Sequence, residues 1–247
     1  MSGDRAALVT GAASGIGRAI AQRLADDGCS VLAVDIEPDP DGPGEPFEAD
    51  LTTVEGNRDS VAAALDRFGR LDVVVPNAGF QHVAPVEEFP VEQWNAMLAL
   101  LLTSPFLLAR EAWPALRESG AGRFVAVASV HGIVASPYKT AYISAKHGLV
   151  GLVKVLALEG AEDGIAATAV CPGYVRTPLV EGQIADQAAS HGIPEERVIE
   201  EVILEPHAFK RLIEPSEVAG VVSMLAGETG AAFTGAPVVM DMGWSAR

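Results

Sequence analysis

Cysteine is scarce, with only Cys29 and Cys171 in 247 residues. Two are too few for a disulfide framework or a zinc site, and each reads as a small buried residue beside a strand. Basic residues are few too, 17 against 33 acidic ones, for a formal net charge of -16. Nucleic acids and anionic membranes bind basic patches, so neither is an expected partner. The opening residues lack the long apolar core of a signal peptide, and the expected compartment is a reducing cytoplasm. The longest apolar stretch, 96–109, is broken by Thr103, Ser104 and Pro105. It suits a buried helix better than a membrane span. No internal repeat and no interdomain linker is visible. With 49% hydrophobic residues the chain can build one well-filled domain over 1–247.

Strand and helix patterns alternate from the start, which predicts an α/β fold with a doubly wound parallel sheet of seven strands. Strands are expected at 6–10, 30–34, 47–49, 72–75, 124–128, 166–170 and 237–240. Helices are expected at 15–27, 54–68, 91–118 and 215–226, and one carrying Tyr142 and Lys146 is expected to continue to about Glu159. The Pro-, Gly- and acid-rich stretch between Asp35 and Asp50 shows no helix. The polar segment 178–207 is helical in pattern and framed by prolines, and is expected to be a lid over the site.

The segment TGAASGIG sets Gly11, Gly15 and Gly17 between the first strand and its helix. Glycine permits a sharp turn and close approach to a pyrophosphate, and the helix N-terminus offers free N–H groups. Asp35 ends the second strand, 18 residues after Gly17. A carboxylate there accepts hydrogen bonds from both adenosine ribose hydroxyls and repels a 2′-phosphate. Glu37 and Asp39 are acidic as well, and no Arg or Lys is expected nearby, so NAD(H) is expected over NADP(H). Asp50 and Leu51 are expected to bracket the adenine, and the turn Asn77-Ala78-Gly79 to close the pocket.

Tyr142 and Lys146 lie four residues apart, about one helical turn, so phenol and ammonium share a face. A phenol ionises near pH 10, and a neighbouring cation brings that value down. Ser129, at the end of an apolar run, can hold a substrate oxygen. Together these groups form a proton-transfer device for a carbonyl/alcohol pair. His131 and Lys139 lie on the loop between Ser129 and Tyr142, Gln81 follows the Asn-Ala-Gly turn, and Gln183 lies in the expected lid.

With these motifs in order, and PGYVRTP at 172–178, the chain resembles the short-chain dehydrogenase/reductase family over its whole length. Within it, GFQHVAPVEEFP, ASVHGIVASPYKTAYISAKHG and the terminal GWSAR are similar to the D-3-hydroxybutyrate dehydrogenases. That resemblance implies a Rossmann-type fold, NAD as cofactor, interconversion of D-3-hydroxybutyrate with acetoacetate, and a homotetramer. It implies Tyr142 as acid/base, Lys146 as the partner that lowers its pKa and binds the nicotinamide ribose, and Ser129 as oxygen holder. It adds Ser14, Ile16, Pro172, Val175 and Thr177 to the cofactor contacts. Gln81, His131, Lys139 and Gln183, with Ser129 and Tyr142, would hold the substrate, and no metal is implied. Tyr174 is a weaker carry-over, since Trp often stands there. Leu101 replaces the Asn of the family's catalytic set. Pro105 has no N–H for the Leu101 carbonyl, so that carbonyl is expected to take the Asn's part in a proton relay. A 3-oxoacyl-thioester reductase is the first alternative, opposed by Asp35 and the acidic charge. A non-catalytic NAD-binding sensor is the second, opposed by the intact Ser129, Tyr142 and Lys146.

Overall fold

The structure, a computed structural model, describes residues 5–246. Seven parallel strands form one sheet: β1 (Ala6–Thr10), β2 (Ser30–Asp35), β3 (Glu45–Glu48), β4 (Val73–Val75), β5 (Arg123–Val127), β6 (Ala166–Pro172) and β7 (Pro237–Met240). Their order is β3-β2-β1-β4-β5-β6-β7. The chain leaves β1 toward β2 on one side and returns to β4 on the other. The crevice at that reversal, beyond the carboxyl ends of the strands, is where such sheets take ligands.

Alternation along each strand feeds two cores. On β1, Leu8 joins a cluster with Leu108, Leu116, Leu149 and Val153. These come from α4 (Ser104–Glu118) and α5 (Thr140–Gly160), which share that face with α2 (Val54–Phe68). Ala7 and Val9 point the other way, to Ile20, Leu24, Val218 and Val222. Those residues belong to α1 (Gly15–Asp26) and α9 (Pro215–Ala226). A sheet covered on both faces explains why the strands are nearly continuous apolar runs.

Most predicted elements fall within two residues of their expected limits. No helix follows β2, as expected: nine residues, 36–44, return directly to β3. The strand there is Glu45–Glu48 rather than 47–49, and β6 runs on to Pro172. Over 91–118, α3 (Val91–Leu98) passes into α4 through a π-helical segment, Ala99–Thr103, rather than breaking at Pro105. The Ser104 N–H bonds the Ala99 carbonyl. The wider π turn comes just before the proline that cannot donate. By length and composition 91–118 and Thr140–Gly160 could each cross a membrane. Here each buries a face against the sheet and its neighbours.

The 178–207 segment forms α6 (Pro178–Glu181), α7 (Ile184–His191), α8 (Glu195–Val198) and a π turn, Ile199–Ile203. Val180, Ala188, Val198 and Ile203 make a small core of their own with Tyr174 and Leu212.

Gly17 fixes how closely α1 packs on β1. A Cβ there would lie 2.0 Å from the Gly11 carbonyl oxygen and 2.5 Å from Asn77 Nδ2. The obstruction includes backbone, so α1 must move. Gly17→Ala is expected to lose about 1–3 kcal/mol of stability. Thermal unfolding checks this, and an unchanged midpoint would refute the packing role.

Candidate active site

One cavity of about 490 Å³ opens at the carboxyl ends of β1, β2, β4, β5 and β6. Its nucleotide side begins at the β1–α1 turn. Gly11 (φ 66°) and Gly15 (φ 53°) both take the left-handed conformation. A Cβ on Gly11 would stand 2.8 Å from the Ala78 Cα. The Asn77-Ala78-Gly79 turn is stitched to β1: Thr10 Oγ1 accepts from Asn77 N (2.9 Å) and Ala78 N (3.0 Å), and Asn77 Nδ2 donates to the Thr10 carbonyl (2.9 Å). Gly79 leaves room for Leu101, whose Cδ2 would be 2.7 Å from any added Cβ. Ser14 caps α1 without a side-chain bond, so its hydroxyl is available.

Asp35 Oδ2 accepts from the Ala13 N–H at 3.0 Å, and Oδ1 from the Ile36 N–H at 2.8 Å. A carboxylate has about four acceptor positions, so both oxygens can still serve a ribose. The expectation that no cation stands nearby is corrected here: Arg18 of α1 forms an ion pair with Asp39. Sequence spacing could not show that pairing across two elements. The Asp50 carboxylate accepts from the backbone N–H and the hydroxyl of Thr52, which hold its pKa down. Asp50 and Leu51 both line the cavity, as do Ile16, Pro172, Val175 and Thr177. Thr177 Cγ2 would lie 3.2 Å from a Cβ on Gly15, so 172–178 closes against the glycine turn. Gly17 alone among the expected nucleotide residues does not line the cavity. These features suit a dinucleotide: a turn without side chains, a helix N-terminus and a strand-end carboxylate.

Ser129 leaves β5 in extended conformation and its Oγ accepts from the His131 N–H at 3.1 Å. Tyr142 projects from the first turn of α5 and Lys146 from the second. Lys146 Nζ donates to the Val127 carbonyl at 2.8 Å and lies 5.7 Å from the Tyr142 ring centroid. Burial brings the Lys146 ammonium down to about 8. Burial also raises the Tyr142 phenol, outweighing the hydrogen bond with Ser129 that lowers it. The expectation that Lys146 lowers that phenol therefore fails in the protein alone. The ammonium is turned toward Val127, and desolvation dominates.

The four expected substrate residues all line this cavity. Lys139 is 2% exposed, and its Nζ donates to Tyr174 Oη at 2.8 Å. Burial brings it down to about 8. His131 Nε2 pairs with Ser136 Oγ at 3.0 Å, and burial pushes its pKa down to about 3. His131 is therefore neutral near pH 7, and Lys139 carries the positive charge on this wall. Gln81 Nε2 is buried without a protein partner. Gln183 Nε2 donates to the Leu179 carbonyl at 2.8 Å, leaving Oε1 unpartnered and a second amide hydrogen for a ligand. A buried ammonium with amide donors around it fits a small carboxylate.

Two aromatic residues stand out among the cavity residues that sequence reasoning missed or gave little weight. Trp244 folds back from beyond β7 to stack on Tyr174, with ring centroids 5.5 Å apart and planes at 10°. It also meets His131 edge-on at 5.1 Å. Its position in a short terminal stretch carries no periodic signal. Tyr174, a weaker carry-over of the resemblance, places its hydroxyl on the Lys139 ammonium.

The family model described as Enoyl-(Acyl carrier protein) reductase matches residues 11–245. The D-beta-hydroxybutyrate dehydrogenase of Rhizobium meliloti (strain 1021) is 43% identical, with 98% of this chain and 99% of that protein covered. The protein of the same name from Cupriavidus necator is 40% identical over 100% of both chains. The ligand-free structure of Thermoplasma acidophilum aldohexose dehydrogenase superposes with a TM-score of 0.91 at 30% identity, covering 99% of this chain and 95% of that one. Sheet order, cavity and relatives agree, and the chain belongs to the short-chain dehydrogenase/reductase family, whose dehydrogenases use a nicotinamide cofactor.

Proposed function

We propose that the protein interconverts D-3-hydroxybutyrate and acetoacetate with NAD(H). The observation that carries this reading is the buried Lys139 ammonium, set with Gln81, His131 and Gln183 in the cavity that also holds Ser129, Tyr142 and Lys146. The names of its relatives from Rhizobium meliloti and Cupriavidus necator support it.

Bound in oxidised form, the nicotinamide supplies the hydride acceptor and a positive charge. The chain supplies the rest. Ser129 holds the 3-oxygen by its hydroxyl. Tyr142 removes the hydroxyl proton in oxidation and returns it in reduction. With the cofactor bound, the nicotinamide's positive charge would join that of Lys146, present below about pH 8, in favouring the phenolate against the desolvation seen in the protein alone. Lys139 and the amides fix the carboxylate, which decides the face of C3 that is presented. The relay part that the family gives to Asn is assigned to the backbone carbonyl of Leu101, in the π segment beside the cavity.

Asp35 and the acidic loop beyond β2 favour NAD over NADP, with Arg18 neutralised by Asp39. In an assay of D-3-hydroxybutyrate oxidation, kcat/KM is expected to be at least about tenfold higher with NAD than with NADP, a difference of roughly 1.4 kcal/mol. A preference for NADP would overturn the cofactor assignment. Absence of turnover, with activity on acetoacetyl thioesters instead, would favour the reductase alternative.

We also assign the protein to the cytoplasm and to a homotetramer. Phe106 on α4 and Val155 and Leu158 on α5 are 47%, 50% and 81% exposed. Such side chains on neighbouring helices suit burial against a second copy.

A further inference from the structure

Two non-glycine residues among those described have a left-handed backbone: Met242 (φ 57°) and Tyr138 (φ 68°). For a bulky aromatic residue this conformation is unfavourable and persists only when its surroundings hold it. Two contacts hold Tyr138. Its carbonyl accepts from the Ala84 N–H at 3.0 Å. Its ring meets the His191 ring edge-on, with centroids 5.6 Å apart and planes at 89°. His191 is the last residue of α7.

The next residue is Lys139. Its carbonyl accepts from the Ile143 N–H at 3.0 Å at the start of α5, while its ammonium reaches Tyr174 inside the site. The backbone turn at Tyr138 therefore sets the direction in which Lys139 leaves the loop. Lys139 also borders the 178–207 segment. A second cavity, about 270 Å³, lies there, lined by Ser136, Pro137, Lys139, Gln187 and His191 among others. The Tyr138–His191 ring pair joins this loop to α7, whose His191 lines that cavity.

We propose that Tyr138 is a positioning residue: pinned in its left-handed turn, its ring clasps α7 through His191 and so holds Lys139 on the substrate wall. The effect on substrate binding rests on the function proposed above; the clasp itself does not. Without the ring, Lys139 gains freedom of direction while Ser129, Tyr142 and Lys146 keep theirs. The consequence is a weaker hold on the carboxylate and intact proton transfer.

Four variants test this: Tyr138→Gly, which keeps the backbone turn at no steric cost and removes the ring; Tyr138→Phe, which keeps the ring; His191→Ala; and Tyr138→Gly with His191→Ala. The first readout is the rate at which an amine reagent modifies Lys139, followed by mass spectrometry, and it requires no substrate. Modification is expected to accelerate several-fold in Tyr138→Gly and His191→Ala and to match the parent in Tyr138→Phe. The double variant is expected to go no further than the faster single one, because both remove one contact. The second readout is the KM for D-3-hydroxybutyrate. It is expected to rise roughly tenfold in Tyr138→Gly and His191→Ala, with kcat and the KM for NAD within about twofold of the parent. Unchanged labelling in both single variants, or effects that simply add in the double variant, would overturn the clasp. A parent enzyme inactive on D-3-hydroxybutyrate would overturn the substrate reading instead, and labelling alone would then decide the clasp.

Discussion

Tyr142→Phe is expected to cut kcat by at least about 10³-fold while NADH binds with its parental Kd. The substitution removes one oxygen and keeps the ring that faces Lys146 and His131. Among the described residues, neither His131 nor Tyr174 is suited to replace it. His131 is neutral, with its pKa near 3, and its Nε2 is engaged with Ser136. Burial holds the Tyr174 phenol above its ordinary range, and its hydroxyl is taken up by Lys139. Cys171 is raised to about 11 by burial. Steady-state rates and a fluorescence titration with NADH check both halves of the expectation. A residual kcat within tenfold of the parent would move the acid/base role to another residue.

Lys139→Met is expected to raise the KM for D-3-hydroxybutyrate by about 10–100-fold, the effect of losing one charged hydrogen bond of roughly 1.5–3 kcal/mol. Methionine is chosen because it keeps most of the side chain's apolar length. Oxidation of the methyl ester, which carries no charge, is expected to change by less than about threefold, well under 1 kcal/mol. The contrast separates charge recognition from a general disturbance of the wall. Equal losses for acid and ester would show that Lys139 supports the fold and does not read the carboxylate.

Local chemistry made much of this molecule readable from its sequence. Gly11, Gly15, Asp35 and the Asn77 turn depend on strand ends and short spacings, and they converge on the cavity. The Tyr142–Lys146 spacing follows from one turn of helix. The four residues expected at the substrate also line that cavity from three separate segments, though only the family resemblance had grouped them. What stayed hidden arises from contacts between distant segments. Arg18 meets Asp39 across the space between α1 and the loop after β2. Trp244 returns from beyond β7 to stack on Tyr174. The π segment that carries the helix through Pro105 depends on tertiary packing that a residue pattern cannot express. The direction of the Tyr142 shift failed for a related reason: spacing placed the ammonium near the phenol but could not show it turned to Val127, nor how strongly burial opposes ionisation. Met242 stands at φ 57°, a left-handed backbone that no sequence pattern marked.

The most direct test is the ratio of kcat/KM for D-3-hydroxybutyrate to that for its methyl ester, measured on the parent enzyme from pH 6 to pH 10. Lys146 titrates for both substrates and cancels in the ratio, leaving Lys139, whose charge is present below about pH 8 and lost above it. The expected ratio is at least about 100 at neutral pH, roughly 2.7 kcal/mol, and it falls steadily once the pH passes about 8. A ratio near one, or one indifferent to pH, would mean that this cavity does not recognise its substrate by an anionic end.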